Sequence, residues 1–286
     1  MDINSIYPKR SPSSHKGDFG KVLIIAGSER YTGSPIFNAV SALRTGADLV
    51  TVISHKRAAF NTSLFLPDII SIPLENELSQ KDISLVINES KNFDSLIIGG
   101  GLDRSPETFT AIREIIKEIK IPMVIDAEAI RAIAEDTDIV KEKTAIFTPH
   151  LDEFKSISGY YPSENENSRE EEAKKIAQIL NSTILLKSRV DIISNGEKTL
   201  KNKTGNSFMT KGGFGDTLAG VCGALLARKS FNILDLAYLG SYINGKAGDM
   251  ASEKFGESMI ASDVFNFFPR VIKEILEDPS SFNEGF

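Results

Sequence analysis

Short apolar, β-branched runs punctuate the chain at Val22 to Ala26, Leu49 to Ile53, Leu96 to Ile98, Met123 to Ile125, Ala145 to Phe147 and Ile184 to Leu186, with a further strand-like stretch at Asp191 to Ser194. Runs of this length between turn residues predict buried strands. The intervening spacing predicts helices near residues 34–46, 105–119, 168–180, 216–228, 232–254 and 260–276. In the fourth of these, Leu218, Val221, Cys222, Leu225 and Leu226 follow the i, i+3, i+4, i+7, i+8 spacing of a face sunk in a core. Strands alternating with helices predict an α/β fold with a mostly parallel sheet covered on both faces.

No repeat, low-complexity tract or Pro/Gly-rich linker divides the chain, so residues 1–286 read as one domain, with 1–15 and 277–286 expected to fray. The acidic stretch Ser163 to Glu172 reads as a solvated loop and helix start with no function of its own. With 41% hydrophobic residues there is ample material for a core, and a net charge of -6 argues against nucleic acid or an anionic membrane surface as partner. A polyphosphate would therefore be held by local donors. Cys222 is the single cysteine, so no disulfide framework exists and a reducing cytoplasm is the expected location. The N-terminal stretch lacks the apolar centre of a signal peptide, and no apolar run is long enough to span a bilayer. His15, His55 and His150 show no zinc-site spacing.

The candidate chemistry gathers at Lys211-Gly212-Gly213-Phe214-Gly215-Asp216, just before the apolar helix. Gly212, Gly213 and Gly215 are expected to allow positive φ and close approach of a ligand to backbone N–H groups, and the helix dipole favours negative charge at the same end. Asp216 is then either a general base beside a phosphate or an N-cap accepting from first-turn amides. The spacing matches neither the GxxxxGK[ST] phosphate loop nor the dinucleotide GxGxxG, and Val22 to Ser28 supplies only Gly27 after its strand.

From His15 to about Val271 the chain resembles the NAD(P)H-hydrate dehydratase family, a branch of the ribokinase-like superfamily. The resemblance rests on motifs in order: His15-Lys16-Gly17-Asp18-Phe19-Gly20, Ala26-Gly27-Ser28, Tyr31-Thr32-Gly33-Ser34-Pro35 and Ile98-Gly99-Gly100-Gly101-Leu102. Asp126-Ala127, Thr148-Pro149-His150-Leu151-Asp152-Glu153-Phe154, Leu185-Leu186-Lys187 and Thr204-Gly205-Asn206 come next, before the glycine turn. The chain departs from the family pattern in four places, one of them Leu151-Asp152 where the family has proline and glycine. Phe214 stands where the family has threonine, Ser188 where it has glycine after the lysine, and Gly100 where it has proline.

The resemblance implies a three-layer α/β/α sandwich of ribokinase-like type and an ADP-dependent lyase that restores NADH or NADPH from the S-form of its hydrate, releasing AMP and phosphate. It makes Asp216 the catalytic base and places Ser34, Gly101, His150 and Asp216 on the hydrated cofactor. Lys187, Ser188, Arg189, Val190 and Asp191, with Gly213 and Gly215, fall where the family holds the adenine nucleotide. Gly212, Gly213, Phe214 and Gly215 would form the anion hole, with lysine and metal helping because Phe214 brings no hydroxyl. Lys187 ranks above Lys211 for this task.

Mg2+ is expected between the phosphates, with Glu153 as a water-mediated contact, because His150-x-x-Glu153 resembles the Asn-x-x-Glu of ribokinase-like sugar kinases. Without the resemblance, Glu153 reads as a solvent-facing residue at a helix start, His150 as a loop residue before that helix, and Asp126 as a strand-end ligand group or a cap. The implied partners are ADP or ATP, hydrated NAD(P)H, an epimerase on a separate chain for the other stereoisomer, and further copies of this chain as a homo-oligomer. Two other readings stand beside this one: an ATP-dependent kinase of a small alcohol or sugar, and a nucleotide-binding regulatory module without turnover.

Overall fold

The structure, a computed structural model, describes residues 2–228 and 232–279. Nine strands form one sheet in the order β3-β2-β1-β4-β5-β6-β7-β8-β9. They are β1 (Lys21–Ile25), β2 (Leu49–His55), β3 (Ile70–Leu74), β4 (Ser95–Ile98), β5 (Met123–Ile125), β6 (Ala145–Phe147), β7 (Thr183–Leu186), β8 (Asp191–Ser194) and β9 (Thr199–Asn202). Pairing is parallel from β3 to β7 and antiparallel from β7 to β9.

The α-helices are α1 (Ile3–Ile6), α2 (Ser34–Arg44), α3 (Lys56–Phe65), α4 (Ile83–Ser90), α5 (Pro106–Glu118), α6 (Ala127–Ile133), α7 (Leu151–Ser158), α8 (Glu166–Leu180), α9 (Phe214–Leu226), α10 (Ile233–Phe255) and α11 (Phe268–Glu277). Successive strand residues point to opposite faces. Val22 and Ile24 of β1, Ile97 and Val124 therefore enter one core with the apolar faces of α2, α9, α10 and α11. Leu23, Ile25, Leu96 and Ile98 enter a second core with α5, α6 and α8. Burial on both faces is why the central strands read as unbroken apolar runs, and it makes the fold a three-layer α/β/α sandwich.

Two expectations need correction. Residues 3–6 do not fray: Ile3 and Ile6 are buried in the first core, and Arg228 donates to the carbonyls of Ile6 and Gly46 at 3.2 and 2.9 Å. Of the other expected frayed end, Glu277 closes α11 and residues 280–286 lie outside the described residues. The helix expected over 260–276 is two pieces, a 3-10 turn at Ala261–Asn266 and then α11. Pro269 sits in the first turn of α11, where its missing N–H costs nothing, but it cannot continue a helix from before.

β1 lies between β2 and β4, so the order of strands reverses between β1 and β4. Open parallel sheets bind ligands beyond the carboxyl ends of strands at such a point. Gly27 follows β1 there, and Gly99-Gly100-Gly101 follows β4. Asp126, Thr148 and Lys187 each stand one residue past the end of β5, β6 and β7.

Candidate active site

The apolar periodicity that buries α9 also aims its N-terminus at this edge of the sheet. The helix begins at Phe214, two residues earlier than the spacing predicts, with Gly213 as N-cap at φ 101°. Asp216 is thus the third residue of the helix and not its cap. The N–H groups of Phe214, Gly215 and Asp216 fall outside the i→i−4 ladder. The glycine requirement is narrower than the turn suggests. Gly213 alone of its three glycines has positive φ. A Cβ on Gly212 would meet nothing, whereas one on Gly215 would lie 3.2 Å from Lys187 Nζ.

Asp216 is half-buried and reaches toward the turn after β4. A Cβ on Gly100 would lie 2.5 Å from Asp216 Oδ1, and one on Gly101 would lie 2.7 Å from Ser34 Oγ. The Ser34 hydroxyl stands beside the Asp216 carboxylate and favours its ionised form. Ser34, Gly101 and Asp216, taken from three distant parts of the sequence, are therefore neighbours. Withdrawal from water, and next the Asp126 carboxylate, push the Asp216 carboxyl up to about 7. Such a group is shared between base and acid forms near neutrality, which suits a proton acceptor.

Lys187 links this cluster to the rest. Its ammonium lies 3.2 Å from Asp126 Oδ1 and 3.8 Å from Glu153 Oε2. Burial alone would lower the Lys187 pKa, but the Asp126 and Glu153 carboxylates outweigh it and hold it raised, so the group stays a cation. Asp126 makes no cap bond to α6; it accepts from Thr148 Oγ1 at 2.7 Å and from Lys187. Burial raises its pKa above the usual carboxylate range.

Glu153 is 5% exposed, so it does not face solvent. His150 caps α7, its Nδ1 accepting from the amides of Asp152 and Glu153 at 3.1 and 3.4 Å. The imidazole proton therefore sits on Nε2, which donates to Glu153 Oε1 at 3.0 Å. Burial works to raise the Glu153 pKa, but the His150 bond and the Lys187 charge together hold it below the usual range.

The loop from Ser188 to Val190 is closed by its own side chains. Asp191 Oδ1 accepts from Ser188 N at 2.9 Å, and Oδ2 accepts from Ser241 Oγ at 2.6 Å. Ser188 has no positive φ, since among the described residues only Ala127 and Asn181 combine positive φ with a side chain. The serine in place of glycine is thus accommodated because the backbone there needs no positive φ, and its hydroxyl donates to the Val190 carbonyl. Asp191 acts within the loop, while Arg189 is exposed at its tip. Lys211 turns away and donates to the carbonyls of Glu257 and Met259.

Sequence reasoning weighed Asp126, an acidic residue directly after a buried strand, as a ligand group or a cap without assigning it to the site, and it missed Asn38. Asn38 had a weaker signal, an amide at the i+4 position from Ser34 inside a buried helix face. Next to Tyr31 and Leu102 lies a cleft of about 570 Å3, lined by Arg30, Arg57 and Arg104 and equally by Glu29, Glu77 and Asp103.

A model of the NAD(P)H-hydrate dehydratase family matches residues 22–270, a span that holds every residue of this site. The chain belongs to that family. The bifunctional NAD(P)H-hydrate repair enzyme Nnr of Pyrobaculum aerophilum is 38% identical over 267 residues, which cover 92% of this chain and 52% of that protein. The chain thus spans about half the length of the first curated relatives it matches. The ADP-dependent (S)-NAD(P)H-hydrate dehydratase of Cenarchaeum symbiosum is 36% identical over 278 residues, 95% of each chain. The solved ADP/ATP-dependent NAD(P)H-hydrate dehydratase of Bacillus subtilis, co-crystallized with ATP and Mg2+, overlays with a TM-score of 0.77 across 95% of each chain. At 24% identity that overlay speaks for the ribokinase-like fold.

Proposed function

We propose that the chain catalyses the ADP-dependent dehydration of the S-form of hydrated NADH or NADPH. The observation that carries this reading is the carboxylate of Asp216, pushed up to about 7, set near Gly213 at the start of α9 with the Lys187 ammonium against Gly215. A site that only bound phosphate would gain nothing from an anion at that place. Family membership and the dehydratase relatives support the choice of reaction.

The hydrate carries a hydroxyl on C6 of its reduced nicotinamide ring; hydroxide is a poor leaving group, and transfer of a phosphoryl group to that oxygen makes it a good one. Asp216 accepts the hydroxyl proton as the oxygen attacks the β-phosphorus of ADP, and the bond to the AMP oxygen breaks. The ring nitrogen then expels phosphate and the neighbouring carbon loses a proton, which restores the double bond. The amides at the start of α9 and the Lys187 ammonium offset the charge on the transferring group. Ser34 and the Gly100-Gly101 turn border the acceptor, and Lys187 to Asp191 border the nucleotide.

Asp126 and Glu153 are two oxygen donors on one side of Lys187, a set that fits a Mg2+ ion held mainly by phosphates and water. Among the described residues no group of three or more His, Cys, Asp or Glu is placed to hold a metal. Mg2+ would supply charge neutralisation on the phosphates, with Asp126 or Glu153 as its protein contact. The cleft beside Tyr31 leaves room beyond the Gly101 turn, which favours an acceptor larger than a small alcohol. An activity that interconverts the two hydrate epimers is the partner this reading implies. Among the described residues no helix is long and apolar enough to cross a membrane.

The test is to mix the purified protein with hydrated NADH, Mg2+ and either ADP or ATP and to follow recovery of NADH absorbance. Recovery with release of AMP is expected with ADP; no recovery with either nucleotide rejects the reading.

A further inference from the structure

One buried polar side chain beside the reacting corner is left unused by the proposed chemistry. Asn38 lies on α2 with no exposed surface. Its amide Nδ2 donates to the Ser34 carbonyl at 2.8 Å and to Asp216 Oδ1 at 3.4 Å. Its Oδ1 is buried and accepts no hydrogen bond among the described residues. Both neighbours of the NH2 group are acceptors, so turning the amide over would set oxygen against oxygen at each contact. The orientation is therefore dictated by chemistry.

Asparagine is a poor choice for this position on local grounds. It favours helices weakly and competes with the ladder for the i−4 carbonyl, as the bond to Ser34 shows. An unpaired buried acceptor adds a further cost. The helices are also pressed together at this point: a Cβ on Gly220 of α9 would lie 2.3 Å from the Asn38 carbonyl oxygen. A residue that opposes its helix and leaves one atom unpaired persists where another interaction offsets it. The remaining interaction is the second N–H, directed at Asp216.

We infer that Asn38 is a positioning residue for Asp216, its amide holding the carboxylate against the Gly100 turn in the ionised form. This rests on the proposed role of Asp216 as base. The charged groups facing Asp216 are Asp126 from the end of β5, which opposes its ionisation, and Lys187 from the end of β7, which favours it. From α2 come the Ser34 hydroxyl and the Asn38 amide, both favouring the anion. From α10, Asn244 accepts from the adjacent Thr217 hydroxyl at 2.8 Å. Asn38 is thus one of two neutral donors that keep the carboxylate usable against burial and a like charge.

The experiment is a carboxyl-carbon NMR titration of protein labelled in its aspartates, with the Asp216 signal assigned by its loss in Asp216→Asn. Asn38→Ala keeps the backbone approach of α2 to Gly220 and removes the donor. Its Asp216 midpoint is expected to rise by about half to one pH unit, the scale of one hydrogen bond to a carboxylate. The ionised fraction at neutral pH, and with it kcat, should fall by about two- to fivefold with KM unchanged. Asn38→Asp preserves the shape should the alanine variant lose its fold, and it places a like charge beside Asp216, so the midpoint should rise further. A midpoint unchanged in the folded variants overturns the inference. Absence of turnover in the wild-type protein would remove the proposed activity, while the midpoint comparison still decides the role of Asn38.

Discussion

Replacing Asp216 by asparagine should stabilise the protein in a way that depends on pH while removing its turnover. The Asp216 carboxyl lies at about 7 in the fold against an ordinary aspartate value of 3.8, raised by burial and next by Asp126. For a group whose folded pKa is raised, the stability it contributes is full below the unfolded pKa and is lost as pH rises through the folded one. Each pH unit between the two values removes about 1.4 kcal/mol, which bounds the loss at roughly 4 kcal/mol above pH 7. Asp216 is only half-buried, so water offsets some of this, and about 2–4 kcal/mol is expected. The substituted amide keeps the size and can still meet Ser34 and Asn38, so the variant avoids the ionisation cost without leaving a cavity. Urea unfolding of both proteins at about pH 4.5 and about pH 8 measures the difference. Asp216→Asn should be the more stable at the higher pH, and the gap should close at the lower. A gap that is the same at both, or that widens toward acid, refutes the reasoning that desolvation and Asp126 raise this group. Turnover of the variant should fall by a factor of about 100 to 10,000, the usual contribution of a positioned base.

The geometry sets three further outcomes. Gly213→Ala should cost about 1–3 kcal/mol, because φ is 101° and the new Cβ would lie 2.8 Å from Ala261 Cβ, whereas Gly212→Ala should leave the melting temperature unchanged since nothing lies within 4 Å. Paired thermal melts check both. Lys187→Met leaves Asp126 and Glu153 without their cation, so the affinity for ADP measured by calorimetry should fall by about tenfold or more, and an unchanged affinity would place the phosphates elsewhere. Ile6→Ala removes a fully buried side chain from the docked N-terminal turn and should cost about 2–4 kcal/mol in urea unfolding; a loss below about 0.5 kcal/mol would return that segment to a frayed end.

How much of this was legible in the sequence differs from element to element. The six central strands were, because each is buried on both faces and must be apolar at successive positions. Edge strand β3 was not: Ile70-Ser71-Ile72-Pro73-Leu74 has one buried residue and a proline, and it is a strand because β2 offers it a parallel edge. β9 alternates buried and half-buried positions around Lys201, too short a pattern to stand out before β8 is there to pair with it. The short helices α6 and α7 are set by the strand ends that precede them, not by a long apolar period.

The site divides in the same way. The Gly213 turn and the apolar face of α9 were visible because both are local: one backbone angle, and one period of 3.6 residues. That Asp216 is the third helical residue and not the cap, that Glu153 is buried, and that Gly212 has no steric need of being glycine could not be read from spacing. Asn38 and Asp216 are 178 positions apart, and Lys187 and Asp126 are 61 apart. Parallel strand order puts Asp126 and Lys187 at one edge of the sheet, and packing of α2 on α9 presses Asn38 toward Asp216. Local chemistry thus chose which residues are able to react. Only the tertiary structure, by removing water from three carboxylates around one ammonium, decided how they share their protons.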